Sequence, residues 1–312
     1  MEAAGNFDAQ FEAVLKPLLG DGFRFGKLSI SGIDNTPVFA VNVPEMPLQE
    51  ICAFHRSVTS GDAYVEKLAQ RVETAIRERQ ALPVVRFADG EYAFYDGSLL
   101  CNGLYRQAES EAAIRAVIPE HLRDIHYLAE HGMVAPLIFP ENILRRKGWR
   151  ALFRNKRGND MALRFLELLA NDGVRLNESN YMPFYCVYAY LSSIRFARAV
   201  DGKTVCIVNS DFNEAACTAW FERAGSRPKL VHVPIPASYV ATRWDSMRDE
   251  AFRHVPEHPD CFMVGAGVGA LEVCVDAARR YSAPAIDSGH ILNMMNDLES
   301  KSAGPRLYTH RR

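Results

Sequence analysis

The stretch that decides the fold reads Leu82-Pro83-Val84-Val85-Arg86-Phe87-Ala88-Asp89-Gly90-Glu91-Tyr92. A short, mostly apolar run ends abruptly there in two carboxylates that are separated by one glycine. The run from Leu82 to Ala88 predicts a buried strand of an α/β sheet, because turn chemistry follows it directly. Ligands of open α/β sheets bind just beyond the carboxyl ends of the strands. Asp89 and Glu91 fall at that point, so we expect them to line a site.

Asp89 and Glu91 have the chemistry of a cation site. In an extended chain, residues two apart project to the same side, so both carboxylates would point at one place. They would repel each other unless a cation or a proton lay between them, and Mg²⁺ or Mn²⁺ suits such a pair of oxygen ligands. Gly90 leaves room for a ligand to approach the backbone. The alternative is structural, because Asp-Gly is a common turn dipeptide and a carboxylate after a strand often caps the next helix.

Strand and helix patterns alternate through most of the chain. This alternation predicts a Rossmann-like α/β fold, in which helices cover both faces of a mostly parallel sheet. The predicted strands are Val84–Ala88, Met133–Ile138, Val174–Leu176, Thr204–Asn209, Leu230–Val233, Phe262–Gly265 and Pro284–Asp287. The predicted helices between them are Glu109–Ile118, Asp160–Leu169, Phe184–Ala199, Asn213–Arg223 and Ala270–Tyr281.

Residues 1–60 differ from this pattern and predict a small α+β appendage in front of a main domain at residues 61–312. The spacing of apolar residues predicts a helix over Asp8–Leu19. Lys27–Ile30 and Val38–Val43 flank a turn-rich segment, which predicts a β-hairpin.

A glycine-rich segment follows another predicted strand near the C-terminus. Gly265-Ala266-Gly267-Val268-Gly269-Ala270 fits the dinucleotide fingerprint G-x-G-x-x-A, and Asp287 follows at about the distance of a ribose-binding acid. The string also resembles the glycine-rich loop of S-adenosylmethionine methyltransferases. Backbone N–H groups at a helix N-terminus favour a diphosphate, so Gly265, Gly267 and Gly269 are candidate nucleotide contacts. Tight backbone packing is the alternative explanation of these glycines.

Polar residues follow two of the predicted strands in the same way. Asp287 and His290 come at the end of Pro284–Asp287, and Asp211 follows Thr204–Asn209. Because the carboxyl ends of parallel strands share one edge of a sheet, these side chains are candidates for the same site as Asp89. As helix caps or hydrogen-bonded structural groups they would need no function.

Two motifs together resemble the GT-D-type glycosyltransferases. Arg-Phe-Ala-Asp-Gly-Glu at residues 86–91 is similar to the family's Arg-Phe/Tyr-Gly-Asp-Gly-Glu signature. Ala-Ile-Asp-Ser-Gly-His at residues 285–290 is similar to its Ala-Ile-Asp-Ile-Gly-His signature, which follows a glycine-rich strand–helix turn as it does here. The motifs occur in the family's order, and the resemblance covers roughly residues 61–296.

The resemblance implies a GT-D-like fold in which Asp89 and Glu91 hold a divalent metal against a nucleotide sugar. The acceptor proton would go to Asp287, His290 or Asp211, in that order of preference. The resemblance adds Arg106 and Gln107 as candidate donor contacts. Gly90 and Arg86 are further candidates from their positions: Gly90 would let the donor approach, and Arg86 would add charge at the phosphates or orient the two carboxylates.

These observations predict a metal-dependent glycosyltransferase. Its donor would be a nucleotide diphosphate sugar, with a UDP-sugar as the first choice, and its cofactor Mn²⁺ or Mg²⁺. The acceptor would be a hydroxyl of a glycan, a lipid-linked molecule or a small molecule. Two alternatives stay open: an S-adenosylmethionine methyltransferase or NAD-dependent enzyme that uses Gly265–Ala270, and a non-catalytic module that binds a nucleotide or a glycan.

Composition bounds the partners and the compartment. The 312 residues carry a formal net charge of -2, so no global basic field favours nucleic acid. Seven scattered cysteines without a C-x-x-C pair are typical of reduced thiols, and residues 1–20 lack the apolar core of a signal peptide. We therefore expect a cytoplasmic protein. The basic run Arg145–Arg157 predicts a solvated helix face or a peripheral contact with an anionic membrane.

Overall fold

The fold is described from a computed structural model of the chain. The structure describes residues 13–27, 51–58, 60–103, 105–139, 142–143 and 160–298. The basic run Arg145–Arg157 and most of the predicted hairpin, including Val38–Val43, lie outside the described residues.

The described elements alternate as the sequence pattern predicts. A short 3-10 helix, Leu99–Asn102, follows the third helix, and another, Gly267–Gly269, precedes the tenth. In chain order the elements are α1 (residues 13–19), β1 (Phe23–Lys27), β2 (Ile51–His55), α2 (Gly61–Glu78), β3 (Leu82–Phe87), α3 (Asp89–Tyr95), α4 (Glu111–His131), β4 (Met133–Pro136), α5 (Met161–Asn171), α6 (Phe184–Leu191), α7 (Ile194–Ala199), β5 (Thr204–Asn209), α8 (Glu214–Arg223), β6 (Lys229–Pro234), α9 (Val240–Phe252), β7 (Cys261–Gly265), α10 (Ala270–Tyr281), β8 (Pro284–Asp287) and α11 (His290–Met295).

The core of the fold is a six-stranded parallel sheet with the strand order β4-β3-β8-β7-β5-β6. Every residue of β3 and of β8 is buried, as expected for strands of a parallel sheet that is covered on both faces. The predicted α/β class, with a mostly parallel sheet surrounded by helices, is therefore confirmed.

The strand order brings distant parts of the sequence to one edge of the sheet. Strand β8 lies between β3 and β7, with Val84 paired to Ile286 and Val264 paired to Asp287. The carboxyl ends of these three strands carry the Asp-Gly-Glu motif, the second family-like motif and the glycine-rich segment. All three therefore meet at the edge where α/β proteins bind ligands.

Three predicted elements differ in the structure. Residues 174–176 form no strand: the N–H of Val174 bonds back to the carbonyl of Leu169 at the end of α5, which keeps this segment out of the sheet. The predicted helix Phe184–Ala199 is two helices, because the hydroxyl of Ser193 accepts the N–H of Phe196 and begins a new helix.

The predicted helix Glu109–Ile118 is much longer in the structure. It continues through Pro119 to the end of α4 at His131. The continuation buries His121, Ile125 and Leu128, and this burial outweighs the loss of one backbone hydrogen bond at the proline.

The described part of residues 1–60 is hydrogen-bonded to the segment after β4 and to the segment before α6. Strands β1 and β2 form a two-stranded antiparallel sheet. The N–H of Ala53 donates to the carbonyl of Ile138 (3.2 Å), and the hydroxyl of Tyr181 donates to the carbonyl of Ala53 (2.6 Å). In the part of the chain that the structure describes, no helix combines the length and the apolar character that crossing a membrane requires.

Candidate functional site

The Asp-Gly-Glu motif begins a helix. Asp89 is the first residue of α3, directly after β3, and it is exposed. Glu91 is partly buried and its Oε2 accepts the N–H of Ala88 at 2.8 Å, so it caps the helix. The expectation of an extended chain with both carboxylates on one side is therefore wrong, because residues two apart on a helix face different directions. The helix-cap alternative holds for Glu91.

The surroundings of Glu91 disfavour its ionised form. Burial, together with the negative charge of Asp287, raises the pKa of Glu91 to about 7. A divalent ion would relieve this unfavourable charge. The described residues contain no cluster of three or more metal-binding side chains. Mg²⁺ commonly takes one or two carboxylates and completes its shell with waters and substrate phosphates, so the assignment of Asp89 and Glu91 to a metal stays a prediction.

Asp287 forms a buried ion pair with Arg86. The Arg86 Nη2 donates to Asp287 Oδ1 at 2.8 Å and its Nε to the Asp287 carbonyl at 3.0 Å, while the Arg86 backbone N–H donates to Oδ2 at 3.3 Å. Both side chains are 6% exposed. Both oxygens of the Asp287 carboxylate are thus engaged by Arg86. The pair joins the end of β8 to β3 across the sheet.

Two aromatic residues of α6 complete this cluster. The guanidinium of Arg86 lies over the ring of Tyr188 (4.1 Å) and near that of Phe184 (4.9 Å). The Tyr188 hydroxyl is 3.2 Å from His290 Nδ1, so it fixes the orientation of a partly buried imidazole. Sequence analysis missed Tyr188 and Phe184, because a cation–π contact between segments about a hundred residues apart leaves no local pattern.

Gly289 makes the turn that places His290 in this cluster. Its φ is +40°, and a Cβ at this position would overlap the guanidinium of Arg86. The glycine of the second family-like motif is thus required by the close approach of Arg86 and by the backbone conformation.

The glycine-rich segment is closely packed by protein groups. A Cβ on Gly265 would come 2.9 Å from Leu292 Cδ1, and one on Gly269 would come 2.6 Å from Val240 Cγ1. These two glycines let neighbouring elements approach the backbone. The packing alternative accounts for them without a ligand, and their proposed nucleotide contact stays a prediction.

The side chain of Gln107 packs against the same turn. Its Oε1 accepts the N–H of Val268 at 2.9 Å, and the Gln107 amide lies where a Cβ of Gly267 would be, 2.6 Å away. Gly267 also has a φ of +57°. The backbone N–H of Val268 is therefore already bonded to the side chain of Gln107. Gln107 was itself predicted to contact the sugar donor.

The other candidate residues lie around this edge of the sheet. Arg106 is exposed. Asp211 is exposed beyond β5, and because β7 separates β5 from β8, Asp211 follows a strand about 10 Å from that of Asp287. The structure thus brings Arg86, Glu91 and Asp287 together and places Asp211 at a greater distance.

A substitution of Gly90 tests the prediction that a ligand approaches the backbone at this residue. It lies inside α3 without a positive φ, and a Cβ there would meet nothing within 4 Å. Gly90→Ala should therefore raise the free energy of unfolding by about 0.5–1 kcal/mol, measured by urea denaturation. Gly97→Ala is the matched control and should destabilise the protein, because Gly97 has a φ of +71° in equally open space. If Gly90→Ala leaves donor affinity unchanged, Gly90 is not a donor contact.

Comparisons with known proteins give a structural similarity. No protein-family model and no curated protein matches the chain. The chain is similar to a solved structure of the domain of unknown function 1792, which is described as having a distinct glycosyltransferase fold. The match has 16% sequence identity and a TM-score of 0.45, and it covers 77% of this chain and 86% of that one. The function proposed below rests on the residues of the site and not on this similarity.

Proposed function

We propose that this protein is a metal-dependent glycosyltransferase that transfers a sugar from a nucleotide diphosphate sugar, with a UDP-sugar as the first choice, to an acceptor hydroxyl. The observation that carries the proposal is the meeting of two motifs on neighbouring parallel strands. Asp89 and Glu91 follow β3, and Asp287 and His290 end β8, which pairs with β3. Both motifs resemble the same family of glycosyltransferases, although they lie about 200 residues apart in the sequence.

Asp89 and Glu91 would hold the divalent ion, which when bound acts as a Lewis acid toward the departing diphosphate. Asp89 is exposed at the start of α3, and burial together with the charge of Asp287 raises the pKa of Glu91, so a cation would stabilise its ionised form. The remaining positions around the ion would be open to water and donor phosphates.

His290 is the residue that we propose takes the acceptor proton. It is partly exposed, and the Tyr188 hydroxyl, 3.2 Å from its Nδ1, orients the imidazole at the edge of the sheet where the acceptor would bind. Asp287, the first choice from sequence, has both carboxylate oxygens engaged by Arg86. We therefore propose that Asp287 positions Arg86 and the turn before His290. Asp211 remains a candidate for acceptor binding.

The nucleotide-cofactor alternative has less support from the site. The glycine-rich turn of a dinucleotide enzyme presents its backbone donors to the pyrophosphate. Here Gln107 accepts the N–H of Val268 within that turn. A ligand would need to displace the Gln107 side chain to use this donor.

The test is a screen of sugar nucleotides with Mn²⁺ or Mg²⁺, in which mass spectrometry measures hydrolysis or transfer. We expect turnover of at least one nucleotide sugar with metal and none in EDTA. Thermal-shift assays with S-adenosylmethionine and NAD run in parallel. A shift with either cofactor, together with no turnover of any sugar nucleotide, would replace this proposal by the cofactor-enzyme alternative. Binding of sugar nucleotides without turnover, with or without acceptors, would favour the non-catalytic module.

A further inference from the structure

The large hydrophobic side chains that are exposed among the described residues lie in one short segment of the chain. They are Leu99 (41% exposed), Leu100 (55%) and Tyr105 (38%). They belong to the 3-10 helix Leu99–Asn102 and to the segment directly after it. Tyr105 is the aromatic residue of the three, and an exposed aromatic ring beside a candidate site is a common ligand contact.

Tyr105 is held in place although its ring is exposed. Its hydroxyl accepts a hydrogen bond from Asn293 Nδ2 at 2.9 Å, and Asn293 is 9% exposed. Asn293 lies three residues after His290 on α11, so the two side chains share one face of the helix with Cβ atoms about 5–6 Å apart. The ring of Tyr105 therefore stands close to the proposed proton acceptor, and its hydroxyl is already engaged.

The backbone on the C-terminal side of Tyr105 is fixed as well. The carbonyl of Arg106 accepts the N–H of Tyr239 at 2.7 Å, and Tyr239 adopts a left-handed conformation with a φ of 64°. Asn102 Oδ1 accepts the N–H of Gln107 at 2.6 Å, and Gln107 in turn binds the glycine-rich turn. Hydrogen bonds from α11, from the start of α9 and from the turn after β7 thus hold a short exposed segment. A ring fixed in this way binds a flat partner at a small entropic cost.

We propose that Tyr105 stacks on the base of the nucleotide donor, an inference that rests on the proposed function. Asn293 holds the hydroxyl end of Tyr105, and the residue is 38% exposed, so its ring can stack on a base, since every nucleobase has a face for stacking. The exposed cation of Arg106 lies next to it in the chain and complements the donor phosphates. A flat ring with an adjacent positive charge matches a nucleoside diphosphate better than it matches an uncharged acceptor.

The test compares UDP with inorganic pyrophosphate, both in Mg²⁺, by isothermal titration calorimetry. Tyr105→Leu should weaken UDP binding by about 5- to 150-fold, which is the range for loss of one base–aromatic stack, and should leave pyrophosphate binding unchanged. Tyr105→Phe keeps the ring and should stay within about threefold of wild type. Leu100→Ala is the control on the same segment and should bind both ligands like wild type. Both positions are exposed, so all three variants should fold normally.

The outcomes separate this inference from the proposed function. If wild type binds UDP and Tyr105→Leu binds it equally well, the stacking proposal fails while the glycosyltransferase proposal stands. If Tyr105→Leu weakens UDP and pyrophosphate alike, the residue shapes the segment and does not contact the base, which also overturns the inference. If Tyr105→Phe loses as much UDP affinity as Tyr105→Leu, the hydroxyl binds UDP and the ring face does not, which overturns the stacking proposal. If wild type binds neither UDP nor any other nucleoside diphosphate, both proposals are wrong.

Discussion

Asp89→Asn and Glu91→Gln are each expected to lower metal-dependent turnover of the donor by a hundredfold or more. Each change removes a negative charge from the proposed metal ligands, and a bound metal is worth several kcal/mol of stabilisation of the departing diphosphate. Both changes keep the size of the side chain. Calorimetry should show that metal-dependent donor binding is lost together with turnover. Asp249→Asn, at an 85% exposed carboxylate on α9, is the matched control and should behave like wild type.

The same variants also test whether Glu91 acts only as a helix cap. Glutamine can still accept the N–H of Ala88 through its carbonyl oxygen, so the cap survives in Glu91→Gln. Because the pKa of Glu91 is raised in the folded protein, its ionised form costs stability as the pH rises through about 7. At pH 8 in EDTA, Glu91→Gln should therefore be at least as stable as wild type in urea denaturation. Full turnover of both variants, or full wild-type turnover in EDTA, would contradict the metal assignment.

Asp287→Asn should destabilise the protein by about 3 kcal/mol or more. The change leaves the guanidinium of Arg86 buried beside a neutral amide, and removal of one partner of a buried ion pair costs about 3–5 kcal/mol. The measurement is the free energy of unfolding from urea denaturation at pH 7. A loss of less than about 1 kcal/mol would show that the pair does not organise this edge of the sheet.

His290→Gln is the comparison that separates positioning from catalysis. His290 is only partly buried and begins α11, so we expect a stability loss below about 1 kcal/mol. Turnover should nevertheless fall by roughly a hundredfold or more, with donor affinity little changed, because a general base acts mainly in the chemical step. If His290→Gln turns over normally, the base assignment is wrong, whatever the stability of Asp287→Asn.

Local pattern predicted the elements of the sheet well. Thr204–Asn209, Pro284–Asp287 and the helix Ala270–Tyr281 have the predicted bounds, and β3 and β7 differ by a few residues at one end or both. These elements are defined by apolar runs and periodicity within about ten residues, which the sequence displays directly. The predicted strand Val174–Leu176 is wrong, because the N–H of Val174 bonds to the preceding helix and not to a strand.

The candidate site depended on contacts that no local pattern contains. The sequence located the motif at Asp89, but the extended conformation predicted for it was wrong. The motif begins a helix, which the hydrogen bond from the Ala88 N–H to Glu91 caps. The glycines of the turn after β7 were found too. Their environment, with Gln107 bonded to Val268, became visible only in the folded chain.

The sequence by itself determined the α/β class, most strands and helices, and the two motifs that hold the candidate residues. Only the tertiary structure decided that β8 lies beside β3, that Arg86 pairs with Asp287 across 201 residues, and that Tyr188 contacts His290 across 102. The physical reason is the range of the forces involved. Propensity and hydrophobic periodicity act between near neighbours in the chain, whereas strand order and buried ion pairs are set by how the whole core packs.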